Sequence, residues 1–172
     1  MSSNITTSQT IGPFPHEAWK WAVDLTASVD SSAPQIVITG TIYDGDGVPI
    51  SDAWAEAWMP DSVALETSHA IAGYRRVPTD DEGKFTLRIS VPPATGAARP
   101  LAYITVFARG LVKHQFTAVW LEDAAGLAQS ALLEQVPAAR RATLLARRQA
   151  DASYAWNIHM QGPQETVFFD YL

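Results

Sequence analysis

The chain has 172 residues, of which 47% are hydrophobic and none is cysteine. This length suffices for one domain with a hydrophobic core, and the lack of cysteine excludes disulfides, thiolate metal sites and cysteine nucleophiles. A net charge of −6 argues against a nucleic-acid-binding surface, which would show a basic excess. No apolar run approaches the roughly 18 residues that a membrane span requires. No secretory signal is visible either, so we expect a cytoplasmic protein.

The first 35 residues differ in pattern from the rest of the chain. Residues 1–35 are rich in Ser, Thr and Pro and show no clear hydrophobic period, which predicts an extended N-terminal arm. The arm carries Phe14, Trp19 and Trp21, so we expect it to pack on its own domain or on a neighbour. Residues 36–172 are interpreted as a single domain.

Short β-type segments follow the arm. Residues 35–43 are rich in β-branched side chains, which favours a strand. The Asp-Gly-Asp-Gly sequence at 44–47 is a turn signal, and a second predicted strand at 53–58 completes a hairpin-like unit. Residues 85–91 alternate strictly between apolar and polar side chains, which is typical of a half-buried strand.

The second half predicts more strands and a helix. Strands are expected at 103–107 and 116–121, and alternation resumes over 154–160. Residues 138–149 are rich in helix formers, and their four arginines are expected to form a solvated face. Many short strands with one or two short helices predict an all-β fold, an antiparallel β-sandwich.

Three segments of the chain resemble the intradiol ring-cleavage dioxygenases. They are Thr-Ser-Gln-Thr-Ile-Gly-Pro-Phe at 7–14, Phe-Ala-Arg-Gly-Leu at 107–111 and Gln-Gly-Pro-Gln-Glu-Thr-Val-Phe-Phe-Asp at 161–170. The Asp-Gly-Asp-Gly-Val-Pro element at 44–49 agrees with them but occurs in many β-sandwiches. Within the family, the chain is similar to the alpha-type chains, which carry no iron themselves.

The resemblance also shows where the metal ligands of iron-bearing members would fall. Those members hold Fe(III) on two tyrosines and two histidines, whose positions here fall at about Glu66, near Thr95, and at Leu101 and Tyr103. None of the four matches, so the resemblance implies that Fe(III) resides in a partner beta subunit. Glu66 and Tyr103 are oxygen donors that suit a hard cation, which leaves a private metal site open. The histidines are scattered along the sequence: His16, His69, His114 and His159.

The resemblance implies that the chain takes part in oxygenative cleavage of protocatechuate by O2 to 3-carboxy-cis,cis-muconate. It would do so within a hetero-oligomer of alpha-beta protomers and would be inactive alone. Arg109 matches the family arginine associated with substrate, and its guanidinium suits the carboxylate of protocatechuate. Thr10, Gly12 and Pro13 match the arm segment that approaches the partner's iron pocket.

Three other interpretations remain open at this point. The chain could be an iron-free pseudo-enzyme, or a β-sandwich homo-oligomer that binds an aromatic acid. It could instead be a structural subunit that stabilises an iron-bearing partner without contributing to the pocket. Finally, it could be a self-sufficient iron dioxygenase with rearranged ligands.

Overall fold

The computed structural model describes residues 9–12, 19–27, 34–91, 99–150 and 152–170. These residues are mainly β-structure with short helices, which confirms the predicted all-β class. None of the described helices is long and apolar enough to cross a membrane. The helices are α1 (Lys20–Thr26) and α2 (Ala131–Glu134), with 3-10 segments at Pro60–Leu65, Leu127–Gln129 and Ala138–Leu144. The strands are β1 (Gln35–Tyr43), β2 (Trp54–Trp58), β3 (Tyr74–Pro78), β4 (Lys84–Ser90), β5 (Ala102–Phe107), β6 (Gln115–Leu121), β7 (Leu145–Ala150), β8 (Ser153–Ala155) and β9 (Ile158–His159).

The strands pair in the order β3-β2-β5-β6-β7-β8-β1-β4, and β9 pairs with β1. Most neighbours are antiparallel, but β6–β7, β1–β8 and β1–β9 are parallel. Antiparallel pairing was expected and is confirmed for most neighbours, whereas the three parallel pairs depart from it. The long connection between β6 and β7 permits the parallel pairing there, because parallel neighbours need a crossover that a tight turn cannot provide.

The predicted hairpin-like unit over 35–58 was also wrong. β1 pairs with β4, β8 and β9, whereas β2 pairs with β3 and β5. An isolated bridge between Tyr43 and Pro49 closes the turn that follows β1. The connection is long, and its turn closes locally because the Asp44 carboxylate accepts the N–H groups of Asp46 and Val48. The chain thus crosses from one half of the structure to the other rather than folding back on itself.

A buried apolar cluster lies between the β3-β2-β5-β6 half and the β7-β8-β1-β4 half. It combines side chains such as Ile38 of β1, Leu87 of β4, Ile104 of β5 and Ile158 of β9. Because both halves contribute, they pack face to face, and each fully buried aliphatic side chain contributes about 1.5–3 kcal/mol. The alternation predicted over 85–91 is confirmed: Phe85, Leu87 and Ile89 face this core.

A short helix interrupts the region predicted as an extended arm. α1 is tied to β3 because Arg76 N–H donates to the Thr26 hydroxyl at 2.9 Å. Trp19, just before α1, packs edge-to-face on Trp54 at 6.2 Å, and the Arg76 guanidinium lies over the Trp19 ring at 4.4 Å. These tertiary contacts stabilise a helix that the local sequence pattern does not predict.

The helix predicted over 138–149 was wrong in its second half. The segment is a 3-10 helix to Leu144, and β7 then begins by pairing with Trp120 and Leu121 of β6. Strand pairing here overrides helix propensity, which is a weak preference. The arginines are only partly a solvated face, since Arg140 and Arg141 donate to the backbone oxygens of Glu165 and Val136.

Gly40 marks the closest approach of β1 to the segment after β8. A Cβ at Gly40 would lie 1.7 Å from the carbonyl oxygen of Trp156. We therefore expect Gly40→Ala to lower the free energy of unfolding by about 2 kcal/mol or more, measured by urea denaturation. Gly45→Ala is the matched control, because its Cβ would meet only the movable Gln161 side chain. Equal losses in the two variants would contradict the packing described here.

Candidate functional site

Arg109 lies just beyond the end of β5, in the turn that leads to β6. β2 and β5 are antiparallel with Trp54 opposite Phe107, so the same register carried two residues further places position 52 opposite position 109. There, Arg109 Nε and Asp52 Oδ2 form an ion pair at 3.0 Å. The Arg109 side chain is 68% exposed and that of Asp52 only 15%. The guanidinium is therefore held on one side and open on the other.

The segment 9–12 lies against this turn. The backbone N–H of Ile11 donates to the carbonyl oxygen of Leu111 at 2.9 Å. Gly12 has φ +73°, a backbone conformation that favours glycine, and Thr10 is exposed. The structure thus places Thr10 and Gly12 beside the Arg109 turn. Pro13 lies outside the described residues.

Glu66 is fully buried and does not have the surroundings of a metal ligand. One carboxylate oxygen bonds Arg75 Nη2, and the other accepts the N–H of Gly73 at 2.8 Å. Arg75 is itself only 3% exposed. Burial alone would raise the pKa of Glu66, but the hydrogen bonds from Arg75 and Gly73 outweigh it and hold the pKa below its usual value. Arg75 thus supplies the positive charge that this buried carboxylate requires.

Tyr103 lies on the opposite face of the same sheet. Directly paired residues of neighbouring antiparallel strands share a face, and successive residues alternate. Arg75, the partner of Glu66, pairs with Ala57 on the core face, whereas Tyr103 pairs with Trp58 on the outer face. Glu66 and Tyr103 therefore cannot join in one coordination sphere.

Tyr103 instead lines an outer groove of about 400 Å³. Its ring stacks on Phe116, with ring centroids 6.0 Å apart. Burial, together with the Glu56 carboxylate beside it, raises the pKa of Tyr74 in the same groove to about 12, so that phenol stays protonated. The groove is thus a mainly aromatic surface with one carboxylate, Glu56, which is paired with Arg76. Its lining residues are Glu56, Trp58, Tyr74, Tyr103, Thr105 and Phe116.

The other positions do not complete a metal site either. Leu101 packs against the apolar core, and Thr95 lies outside the described residues. His69 Nε2 lies 3.4 Å from Arg75 Nη2, and His159 stacks on Tyr43 with centroids 4.9 Å apart. His114 lies beside Phe107, and His16 falls outside the described part of the chain. Across the described ranges, no three His, Cys, Asp or Glu side chains gather as a metal site.

The C-terminal signature serves mainly to hold the fold together. Phe168 packs on the main core, and Phe169 packs edge-to-face on Phe116, with centroids 6.3 Å apart. The backbone of Glu165 accepts a hydrogen bond from Arg140 Nη2 at 2.7 Å. Both phenylalanines thus pack against neighbouring elements of the fold.

Sequence reasoning missed the two residues that define the charges of these sites. Asp52 and Arg75 carry no motif of their own. Each becomes significant only through its folded partner. Asp52 is 57 residues from Arg109 and meets it through the pairing of β2 with β5, and Arg75 meets Glu66 because β3 packs beside the segment that carries Glu66. The length of β2 and β5 and their antiparallel pairing could have revealed Asp52, but no local signal points to the pairing of Arg75 with Glu66.

Two curated proteins are similar to this chain over nearly its whole length. The chain is 33% identical over 193 residues to the protocatechuate 3,4-dioxygenase alpha chain of Burkholderia cepacia, with 96% of each chain covered. This chain belongs to the protocatechuate 3,4-dioxygenase alpha-chain family. It is 30% identical over 199 residues to the family member from Pseudomonas putida, again covering 96% of both chains. No family model matches the sequence.

Solved structures support the fold of this alpha-chain family member. The dioxygenase domain of a carbohydrate-binding fusion protein from Streptomyces sp. SirexAA-E has a TM-score of 0.57 at 20% identity, covering 77% of this chain and 84% of that one. Catechol 1,2-dioxygenase from Pseudomonas arvilla C-1 has a TM-score of 0.55 at 15% identity, with 81% and 56% covered. These likenesses show a shared fold, and the family assignment depends on the alpha chains.

The buried pair generates a prediction about stability. Glu66→Gln removes the charge that balances Arg75, and we expect it to lower the free energy of unfolding by about 3 kcal/mol or more at neutral pH. Because the folded pKa of Glu66 lies below its unfolded value, its stabilising contribution is present above the unfolded pKa and is lost as the pH falls toward the folded pKa. The variant should therefore lose less stability than wild type between about pH 5 and pH 3. Urea denaturation across this range measures both effects.

Glu82→Gln is the matched control for this experiment. Glu82 pairs with Lys84, but both side chains are well exposed, so its removal should change stability by well under about 1 kcal/mol. A Glu66→Gln variant that behaves like this control would show that the buried pair does not carry the charge balance assigned to it.

Proposed function

We propose that this chain is the non-iron alpha subunit of a protocatechuate 3,4-dioxygenase. In this role it would contribute to the intradiol cleavage of protocatechuate by O2, with 3-carboxy-cis,cis-muconate as the product. The observation that carries the proposal is the open guanidinium of Arg109 beside the arm segment, in a chain that matches the curated alpha chains over nearly its whole length. The cytoplasm is the compartment we propose, in keeping with a chain that has no cysteine.

The substrate role proposed for Arg109 depends on its chemistry and its surroundings. Protocatechuate carries a carboxylate, and a guanidinium can bind a carboxylate through two parallel charge-assisted hydrogen bonds. The ion pair with Asp52 closes at Nε, the nitrogen next to the side-chain stem. The edge formed by the two terminal amino groups is then available for a ligand. Thr10 and Gly12 would line the same pocket from the arm.

The partner would be an iron-bearing beta chain. Among the described residues, Glu66 is paired with Arg75 and Tyr103 lies on the other face of the sheet, so these two side chains do not fit one ferric ion. The ring-cleaving chemistry is therefore assigned to the partner. This chain would bind and orient the substrate through its carboxylate, a contribution of positioning rather than of bond-making. The protein would function as a hetero-oligomer of alpha-beta protomers.

The alternatives are separated by particular observations. A self-sufficient iron enzyme is disfavoured by the placement of Glu66 and Tyr103. A purely structural subunit or a pseudo-enzyme homo-oligomer does not need an exposed arginine held at the junction of the arm and the β5–β6 turn.

The proposal predicts the behaviour of the chain by itself. Purified alone and incubated with ferric iron under air, it should remain colourless, retain no stoichiometric iron after desalting, and not cleave protocatechuate. Mixed with an iron-bearing beta chain, it should form an active complex. Metal analysis, visible absorbance and oxygen uptake are the measurements. A stoichiometric iron–tyrosinate absorbance in the isolated chain would overturn the assignment of the metal to the partner.

Arg109→Gln tests the substrate role in the assembled complex. We expect the KM for protocatechuate to rise about 10- to 100-fold, the loss expected for one charged hydrogen-bonding group. The KM for catechol, which has no carboxylate, should stay nearly constant. Steady-state oxygen uptake measures both constants.

Arg99→Gln is the matched control. Arg99 precedes β5 as Arg109 follows it, and it forms a similar exposed ion pair with Asp61 at 2.8 Å. The control should leave both KM values close to those of wild type. An unchanged KM for protocatechuate in Arg109→Gln would favour the purely structural subunit.

A further inference from the structure

Asp52 is the ion-pair partner of Arg109, and the proposed reaction assigns it no role of its own. Its carboxylate is mostly buried at the start of β2, with Oδ2 3.0 Å from Arg109 Nε. Its other oxygen, Oδ1, is inaccessible to solvent and has no hydrogen-bond partner among the described residues. Among the described residues, Arg109 is thus the cation that pairs with this carboxylate.

The backbone fixes Asp52 more firmly than it fixes Arg109. Next to Asp52, the N–H of Ala53 donates to the Thr79 hydroxyl oxygen at 3.1 Å, and Ala53 is fully buried. Arg109 lies in a turn that includes Gly110 at φ +84°, and most of its long side chain is in solvent. The anchored partner in the ion pair is therefore the aspartate.

From this geometry we infer that Asp52 is a positioning residue for substrate recognition by Arg109. The inference rests on the proposed function. By holding the Nε end of the guanidinium, Asp52 turns the edge with the two terminal amino groups outward, where a substrate carboxylate can accept two hydrogen bonds. The ligand class is a small aromatic carboxylate.

Two opposing effects decide the sign of an Asp52 substitution. A free arginine side chain loses rotamer freedom when it binds a ligand, which weakens binding by roughly tenfold or more, and Asp52 imposes part of that order beforehand. Asp52 also repels a second carboxylate across the guanidinium, by about threefold at about 6 Å in a water-like dielectric and by more where the charges are shielded from solvent. We take positioning as the larger effect, so loss of Asp52 should weaken binding, and the sign of the measured change tests this choice.

The test is a double-mutant cycle in the assembled alpha-beta complex. Asp52→Asn should raise the KM for protocatechuate about fivefold and change kcat little, while the KM for catechol stays constant. Arg109→Gln should raise the KM for protocatechuate further, and the double variant should match Arg109→Gln, because Asp52 acts only through that arginine. Asp52→Glu, which retains the charge, should recover most of the binding.

A matched pair and a folding measurement complete the experiment. Asp61→Asn and Arg99→Gln remove a comparable exposed ion pair at the other end of β5 and should leave all these constants unchanged. Thermal unfolding of each variant reports folding, and Asp52→Ser replaces Asp52→Asn if the latter does not fold.

Each outcome has a distinct meaning. An Asp52→Asn complex with an unchanged or lower KM for protocatechuate, beside an impaired Arg109→Gln complex, would overturn the positioning role and leave the proposed function intact. Additive effects of the two substitutions would overturn it as well. An unchanged KM in Arg109→Gln would instead reject the substrate role of Arg109, and with it the premise on which Asp52 depends.

Discussion

The antiparallel register of β2 with its two neighbours determines most of what this chain can do. It places position 52 opposite position 109, so that a carboxylate and a guanidinium separated by 57 residues meet at one end of the sheet. The same register sends Arg75 to the core face and Tyr103 to the outer face. A shift by one residue would exchange the two faces and remove both arrangements. The Asp52–Arg109 ion pair and the separation of Glu66 from Tyr103 thus have a common structural origin.

The two ion pairs that follow from this register differ in their physical roles. Glu66 and Arg75 are shielded from water, so each buried charge depends on the other for its compensation. The Asp52–Arg109 pair is partly in solvent, where such pairs contribute little to stability. Its importance, under the proposed function, lies in orientation. Burial therefore separates a pair that maintains the fold from a pair that can serve a ligand.

Much of this could be predicted from the sequence, and the failures have physical reasons. The alternation of Phe85, Leu87 and Ile89 identified β4, because a half-buried strand leaves a local pattern. Residues 145–149 were expected to be helical, yet they belong to β7, whose start pairs with β6, a long-range contact that local propensity does not encode. Parallel pairing around β1 was missed for the same reason. The site divides in the same way: motif resemblance led to Arg109, Thr10 and Gly12, whereas Asp52 required the register of two strands.

The buried pair also constrains how this alpha-chain family member could change. The resemblance places a tyrosine ligand of iron-bearing relatives at about Glu66, and a single substitution there to tyrosine would leave the Arg75 guanidinium buried without its counter-charge. An uncompensated buried charge costs about 3–5 kcal/mol, a large part of the stability of a typical domain. Placing a metal ligand there would require Arg75 to change in the same step, and Tyr103 would still lie on the other face of the sheet. The internal salt bridge therefore opposes a tyrosine at position 66, because the single substitution would give a less stable protein.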